Sequence, residues 1–329
     1  MITDNHGRKV SYLRLAVTDK CNLRCFYCMP AEGLPWIEKK VLMTYDEMLH
    51  ISAVLISMGI EKIRITGGEP FVRKDLMKFL TALSGMKGLH ELTITTNGVL
   101  TAPHIPELKK IGIKSVNLSM DTTDRHRFFS ITRRDELPAV LQTLDALLSN
   151  NIETKINAVV MDGKNTQDII PLTMLTKDLP LSVRFIEEMP FNGDKLHHGG
   201  WLWDHAKILE TIKDKFPNIQ KIADPPFSTS YNYQVPGHKG TIGIIAAYTR
   251  SFCGTCNRIR ITPSGELKTC LYDDGVLNIK DLIRQGNDDS EVKAILLNSL
   301  NHRPRDGFEA ERLRKEKNPV HESMATIGG

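Results

Sequence analysis

Six cysteines are the residues best suited to chemistry in this sequence, and they fall into two triads. Cys21, Cys25 and Cys28 are spaced C-x3-C-x2-C. Cys253, Cys256 and Cys270 are spaced C-x2-C-x13-C, and no cysteine lies between Cys28 and Cys253. Thiolates are soft ligands that suit zinc and iron–sulfur clusters. Three within eight residues can hold three corners of an iron–sulfur cube. Neither triad has an evident fourth ligand. An incomplete shell leaves a metal position open to substrate, as in catalytic rather than closed structural sites. A zinc site completed by a distant His is the plainer alternative, and incidental cysteines plainer still. Two open sites suggest two bound small molecules, or one metal for each reactant.

A second pattern is basic. Arg14 lies between Leu13 and Leu15. Lys62 and Arg64 alternate with Ile63 and Ile65. Lys155 precedes Ile156, Arg184 lies between Val183 and Phe185, and Arg258 and Arg260 flank Ile259. These runs read as strands, whose successive side chains point to opposite faces. If helices cover the apolar face, the basic residues point inward. Two such charges about 8 Å apart repel by about 2 kcal/mol at an effective dielectric near 20. An inward set of seven therefore predicts a polyanion, most simply a polyphosphate. Solvent exposure or pairing with Asp and Glu, such as Glu187 and Glu188, is the alternative.

The elements that must position these residues follow from periodicity. Strands are expected over 12–18, 62–66, 91–96, 114–120, 153–160 and 181–187. Helices are expected over 45–58, 75–83, 106–111 and 166–176, with helical material up to 148. Thr44 reads as an N-cap with Glu47 completing a capping box. Six strand–helix alternations argue a parallel sheet with helices outside. Six are fewer than the eight of a closed barrel, so a partial barrel or an open doubly wound sheet remain. The first triad directly follows the first strand, at the face where βα barrels carry their active sites. After Pro190 the rhythm changes to a loop over 191–200, a helix over 201–216 and a hairpin from 231–235 and 241–247. A densely charged stretch over 303–317 precedes Gly328-Gly329.

Composition sets outer bounds. With 329 residues and about 150 per domain, about two domains or one large α/β barrel with an appendage are allowed, and the division is expected as 1–190 and 191–329. Hydrophobic residues at 41% and charged residues at 25% exclude a disordered, collagenous or coiled-coil chain. A net charge of +4 is too mild to argue for nucleic acid. No apolar run reaches the length of a membrane span, and no secretory leader is read at residues 1–7. A cytoplasmic protein with reduced thiols is expected.

The first cysteine loop, with Gly67-Gly68-Glu69-Pro70 after the second strand, resembles the signature of the radical S-adenosylmethionine (SAM) superfamily. The resemblance implies an α/β fold, a partial (β/α)6 TIM-like barrel with a C-terminal extension carrying a second iron–sulfur cluster. This agrees with the independent count of six units. Within the superfamily, YLRLAVTDKCNLRCFYCMP, KIRITGGEPFVRKDL, TITTNG and CGTCNRIRIT…GELKTCL are similar to the GTP 3′,8-cyclase family of molybdenum cofactor biosynthesis. The likeness runs from about residue 4 to 329.

That resemblance implies two [4Fe–4S] clusters, one on Cys21, Cys25 and Cys28 and one on Cys253, Cys256 and Cys270. It implies SAM contacts from Tyr27, Gly68, Ser119 and Met189. It implies GTP contacts from Arg14, Lys62, Arg64, Thr95, Lys155, Arg184, Arg258, Ile259 and Arg260. Catalytic parts are implied for Arg258, Arg260, Gly328 and Gly329, the double glycine entering the site where an unaided reading sees a frayed end. The implied activity is that of a lyase. A deoxyadenosyl radical takes the ribose 3′-hydrogen of GTP, C3′ adds to guanine C8, and reduction gives (8S)-3′,8-cyclo-7,8-dihydroguanosine 5′-triphosphate. Implied partners are GTP, an electron donor protein and a functional link to cyclic pyranopterin monophosphate synthase. A homodimer is allowed, and neither nucleic acid nor membrane is expected. The alternatives are a peptide-modifying radical SAM enzyme with an auxiliary cluster, or a non-enzymatic metal-binding regulator.

Overall fold

β-Branched runs alternate with amphipathic ones along most of the chain, and each run becomes one element. The computed structural model describes residues 2–189, 203–314 and 323–328. A short hairpin, β1 (Ile2–Thr3) and β2 (Lys9–Val10), comes first. Then follow β3 (Tyr12–Ala16), α1 (Tyr45–Met58), β4 (Lys62–Thr66), α2 (Leu76–Ser84), β5 (Glu91–Thr96) and α3 (Ile105–Lys110). Next are β6 (Ser115–Ser119), α4 (Arg125–Thr132), α5 (Leu137–Ser149), β7 (Glu153–Val160), α6 (Ile169–Asp178) and β8 (Ser182–Glu187). The later part holds α7 (His205–Lys215), β9 (Gln220–Lys221), β10 (Ser230–Gln234), β11 (Thr241–Ile245), β12 (Arg258–Ile261), β13 (Glu266–Lys268) and β14 (Leu277–Asn278). Helices α8 (Ile279–Arg284), α9 (Asp289–Leu300), α10 (Gly307–Leu313) and α11 (Met324–Ile327) close the order.

Strands β3 to β8 are parallel neighbours in chain order, giving the six expected βα units. The later part adds a parallel strand at each edge, β12 beside β3 and β11 beside β8. The expected hairpin is present as β10 and β11, but its second arm also pairs with β8. Edge strands carry unpaired N–H and C=O groups, and these two additions cover both open edges of the six-stranded core. Among the described residues β11 and β12 do not pair with each other, so the barrel stays open between them.

Apolar alternation fixes the register. Leu13, Leu15, Ile63, Ile65, Ile94 and Val116 pack outward against the first helices, and Ile156, Val183, Phe185, Ile242 and Ile244 against the later ones. Each such buried side chain contributes about 1.5–3 kcal/mol. A one-residue slip would put the strand arginines under the helices.

Local chemistry trims several boundaries. Thr44 and Glu47 form the expected capping box at α1. The helical material before 148 is two helices, separated where Arg133 takes a left-handed φ of 56°. Helix α7 starts at His205, where Asp204 accepts from the Lys207 amide at 2.8 Å. The expected loop 191–200, Pro190 and the first residues of the helix over 201–216 lie outside the described residues, as do 315–317 of the charged stretch.

Candidate active site

The first triad hangs between β3 and α1 and is held mostly by backbone. The Cys28 and Met29 amides donate to the Cys25 carbonyl at 2.9 and 3.0 Å, a turn that gathers the thiols. The Arg24 and Phe26 amides donate to Thr132 and Ile131 at the end of α4. The glycines of the GGEP run press on the same loop. A Cβ on Gly67 would sit 2.5 Å from the Thr18 carbonyl, and one on Gly68 would sit 2.4 Å from that of Lys20. The Gly68 and Glu69 amides bond those two carbonyls at 2.7 and 2.8 Å. What the glycines admit here is the chain's own cysteine loop. Beyond them, the buried Glu69 accepts from the Asn97 amide at 2.7 Å and from Thr96 Oγ1 at 2.9 Å. Burial pushes its carboxyl up to about 7.

Burial also raises the thiols. Cys21 is pushed up to about 12, with Glu69 adding repulsion, and Cys25 and Cys28 are raised with Asp121 adding to both. Buried thiols this reluctant to ionise ligate only when a cationic centre replaces the lost water. Tyr27, between the last two cysteines, donates its hydroxyl to Asp121 Oδ2 at 2.8 Å. The other oxygen of Asp121 accepts from the Val159 amide at 2.8 Å.

The second triad is built by a 3-10 turn and a hairpin. The Cys256 amide donates to the Cys253 carbonyl at 3.1 Å. Asp273 Oδ2 accepts from the Thr269 and Cys270 amides at 2.8 and 2.7 Å, shaping the turn after β13. Here one thiol behaves differently. Burial works to raise Cys256, but Arg258 and Arg303 overcome it and bring the thiol down to about 6.

Between the triads lies the basic set. Register pairs Arg260 with Arg14 and Arg14 with Arg64, so three arginines occupy one level on three adjacent strands. Adjacent strands are about 4.8 Å apart, close enough for strong mutual repulsion. Burial lowers Arg14 to about 10, and Arg64 and Arg258 add repulsion. Burial likewise lowers Arg184 to about 10, and it lowers Arg260 well below the ordinary arginine value. Gly328, at φ 75°, sits over this level, and its carbonyl accepts from Arg260 Nη1 at 2.5 Å. A Cβ there would lie 2.6 Å from Thr66 Oγ1.

All six cysteines, the five arginines of the basic set and Arg250 line one cavity of about 300 Å³. Several buried polar atoms on this inner face have no partner: Arg14 Nε, Arg184 Nε, Thr66 Oγ1, Asn117 Oδ1, Asn157 Oδ1 and, below Arg14, the Tyr12 hydroxyl. Each costs about 1–3 kcal/mol if left dry and unbonded. Orphaned donors and acceptors in a cationic pocket fit a polyanionic ligand. Buried thiols beside it fit iron–sulfur clusters. Among the described residues no three Cys, His, Asp or Glu are grouped as one metal ion requires; a four-iron cube spreads its thiolates more widely.

Arg14, Arg64, Thr95, Arg184, Arg258 and Arg260 line this cavity, as do Tyr27, Gly68, Ser119 and Met189. Two basic residues depart from the expected inward ring. Lys62 pairs with Glu91 and Lys155 with Glu153, each at 2.7 Å. The Ile259 side chain packs in the outer apolar core. Gly329 lies outside the described residues. Sequence reasoning missed Asn117, Asn157 and Lys268 in the lining. The two asparagines carry the same alternating signal as the arginines, but without a charge to draw notice.

A parallel βα sheet with a three-cysteine loop after its first core strand defines a chain of the radical SAM class. A family model described as the Radical SAM superfamily matches residues 15–175, and one described as Molybdenum Cofactor Synthesis C matches residues 181–308. Among solved structures, Streptococcus suis SuiB aligns with a TM-score of 0.62 at 16% identity, covering 88% of this chain and 69% of that one, which shows the fold alone. The GTP 3′,8-cyclase of Peptoclostridium acidaminophilum is 38% identical over 333 residues, covering 100% of this chain and 98% of that protein. The mouse molybdenum cofactor biosynthesis protein 1 is 38% identical over 296 residues, covering 90% of this chain and 46% of that protein. The chain thus spans about half the length of its animal relatives. It belongs to the GTP 3′,8-cyclase family.

Proposed function

We propose that this chain is a lyase that converts GTP to (8S)-3′,8-cyclo-7,8-dihydroguanosine 5′-triphosphate with SAM as co-substrate. One observation carries the reading: both cysteine triads open onto one cavity, which six arginines and unbonded polar atoms also line. Cys21, Cys25 and Cys28 would hold one [4Fe–4S] cluster, and Cys253, Cys256 and Cys270 the other. Together with SAM, the first cluster supplies one-electron cleavage of a sulfonium bond and hence a carbon radical.

The protein's own part is position. Tyr27, its hydroxyl fixed on Asp121, and Gly68, Ser119 and Met189 form the SAM end. Arg14, Arg64, Arg184, Arg258 and Arg260 take the triphosphate as charge-assisted bonds, each worth about 1.5–3 kcal/mol. Thr95 lies between the two groups, and Lys62, Lys155 and Ile259 support them from the flanks. Gly328 closes over the level that Arg260 marks, and Gly329, outside the described residues, is assigned a catalytic part with it. Clamping the remote phosphates fixes ribose and base against the radical source.

The division of labour follows the chain, with a core over 1–190 and the second cluster over 191–329. An electron donor protein and a downstream cyclic pyranopterin monophosphate synthase complete the setting. Reduced thiols require reducing surroundings, such as the cytoplasm. Among the described residues no helix is long and apolar enough to cross a membrane. The test is anaerobic incubation of the reconstituted protein with GTP, SAM and dithionite, followed by mass analysis. Cyclised nucleotide with 5′-deoxyadenosine is expected. Release of 5′-deoxyadenosine with GTP recovered unchanged would sink the reading.

A further inference from the structure

The second triad is braced by a buried ionic unit built from both ends of the described chain. Arg303 and Asp4 have side chains only 2% and 0% exposed, and they meet at 3.1 Å. Arg303 Nη1 also donates to the Cys256 carbonyl at 3.0 Å. Its Nη2 donates to Cys256 Sγ at 3.2 Å and to the Arg258 carbonyl at 2.8 Å. Its Nε donates at 2.9 Å to the carbonyl of Thr269, the residue before Cys270. The remaining cysteine is reached by a second guanidinium. Arg8 pairs with the same Asp4 oxygen at 2.7 Å and donates to the Cys253 carbonyl at 3.2 Å. All three cysteine segments therefore hang from two guanidiniums that share one carboxylate.

A guanidinium offers five donors in a rigid planar fork, so it can span several acceptors in fixed geometry. An ammonium is a point charge and cannot span them. The charge balance is informative too. Two arginines against one aspartate leave a net positive unit beside ligating sulfurs. Hydrogen bonds and positive charge at cluster sulfurs favour the more negative, reduced form and raise its potential. Among the described residues no guanidinium bonds a sulfur of the first triad, whose side-chain contacts include Asn97 Nδ2 at 3.6 Å from Cys21 and Ser323 Oγ at 3.9 Å from Cys28.

We infer that Arg303, anchored by Asp4, is a positioning residue for the second cluster, holding its three ligand segments and setting its reduction potential through Cys256 Sγ. This rests on the two-cluster reading above. A purely structural arginine would close the β1–β2 hairpin onto the later part of the chain without affecting that potential.

The test uses the full chain, reconstituted anaerobically, with Cys21, Cys25 and Cys28 changed to Ala so that only the second cluster signals. Arg303→Gln, Arg303→Lys and Asp4→Asn are compared by iron content and by redox titration followed by electron paramagnetic resonance. Arg303→Gln should move the midpoint to a more negative potential, or lose this cluster while circular dichroism stays native. Arg303→Lys should restore the iron but not the potential. Asp4→Asn keeps the guanidinium and loosens its anchor, so it should shift the midpoint the same way by less. An unchanged midpoint in iron-loaded Arg303→Lys and Asp4→Asn would overturn the inference. A parent chain with native cysteines that binds about four irons rather than about eight would overturn the two-cluster reading first, and the inference with it.

Discussion

The two triads share a ligand count but differ at one thiol, for Cys256 alone of the six is lowered while its five counterparts are raised. Glu69 and Asp121 act on the thiols of the first, and both raise them. Arg258 and Arg303 act most strongly on Cys256 of the second and lower it, while Asp273 and Asp306 work the other way on Cys270 and Cys253. Acidic surroundings make a cluster more willing to give up its electron, which suits breaking a sulfonium bond. Cationic surroundings suit a site that must hold a polyanion. On the proposed function, one cavity would place an electron source at the first triad and an anion trap beside the second, and side-chain charge at Cys256 distinguishes them.

Three measurements would break or sharpen this contrast. The largest effect is expected from removing one cysteine on each side. Cys21→Ala should reduce 5′-deoxyadenosine release to background, whereas Cys253→Ala should keep that release and lose the cyclised nucleotide. Equal loss of both activities in both variants would erase the division. Next, Arg258→Ala with Arg260→Ala removes two charged donors and should weaken GTP binding by about a hundredfold or more, with both clusters retained. Calorimetric titration checks it, and an unaltered affinity would mean that the β12 arginines do not serve the anion. The smallest effect concerns Glu69. Its folded pKa, about 7, lies above the ordinary carboxyl value, so its contribution to stability is full below pH about 4.5 and is lost as pH rises through about 7. The loss is at most about 3 kcal/mol. Asp121, raised by burial to about 6, adds a part of the same sign. Denaturation of the metal-free chain between pH 4.5 and 8 should show the decline, and Glu69→Gln should make it shallower. A flat profile in the parent chain would remove the acidic half of the comparison.

Much of the fold was legible because strand and helix periods were clean. The expected 62–66, 91–96 and 153–160 match β4, β5 and β7, and the Thr44 box caps α1 as read. The outer strands were less legible. Nothing local in Thr241–Ile245 says that a hairpin arm will also run parallel to Ser182–Glu187, since that choice belongs to an edge nearly 60 residues earlier. The inward arginines were legible by alternation, but their partners were not. Glu91 neutralises Lys62 from the next strand across, and alternation within one strand cannot show it. Arg303 was hidden for the opposite reason. It opens a densely charged stretch, yet it is 3% exposed, and Asp4 meets it from the far end of the sequence.

The pairing of β12 with β3 has a consequence for how the chain is made. Tyr12 finds its neighbour in Arg258, so one side of β3 has no partner until about 245 further residues have left the ribosome. At about 5–20 residues per second that interval lasts roughly 12–50 s. The loop bearing Cys21, Cys25 and Cys28 is outside the ribosome for most of that period, while Cys253 and Cys256 emerge only just before Arg258 and Cys270 after it. A nascent chain with an open strand edge and three exposed thiols invites both aggregation and early metal loading. Any metal that loads during synthesis would therefore meet the first triad before the second.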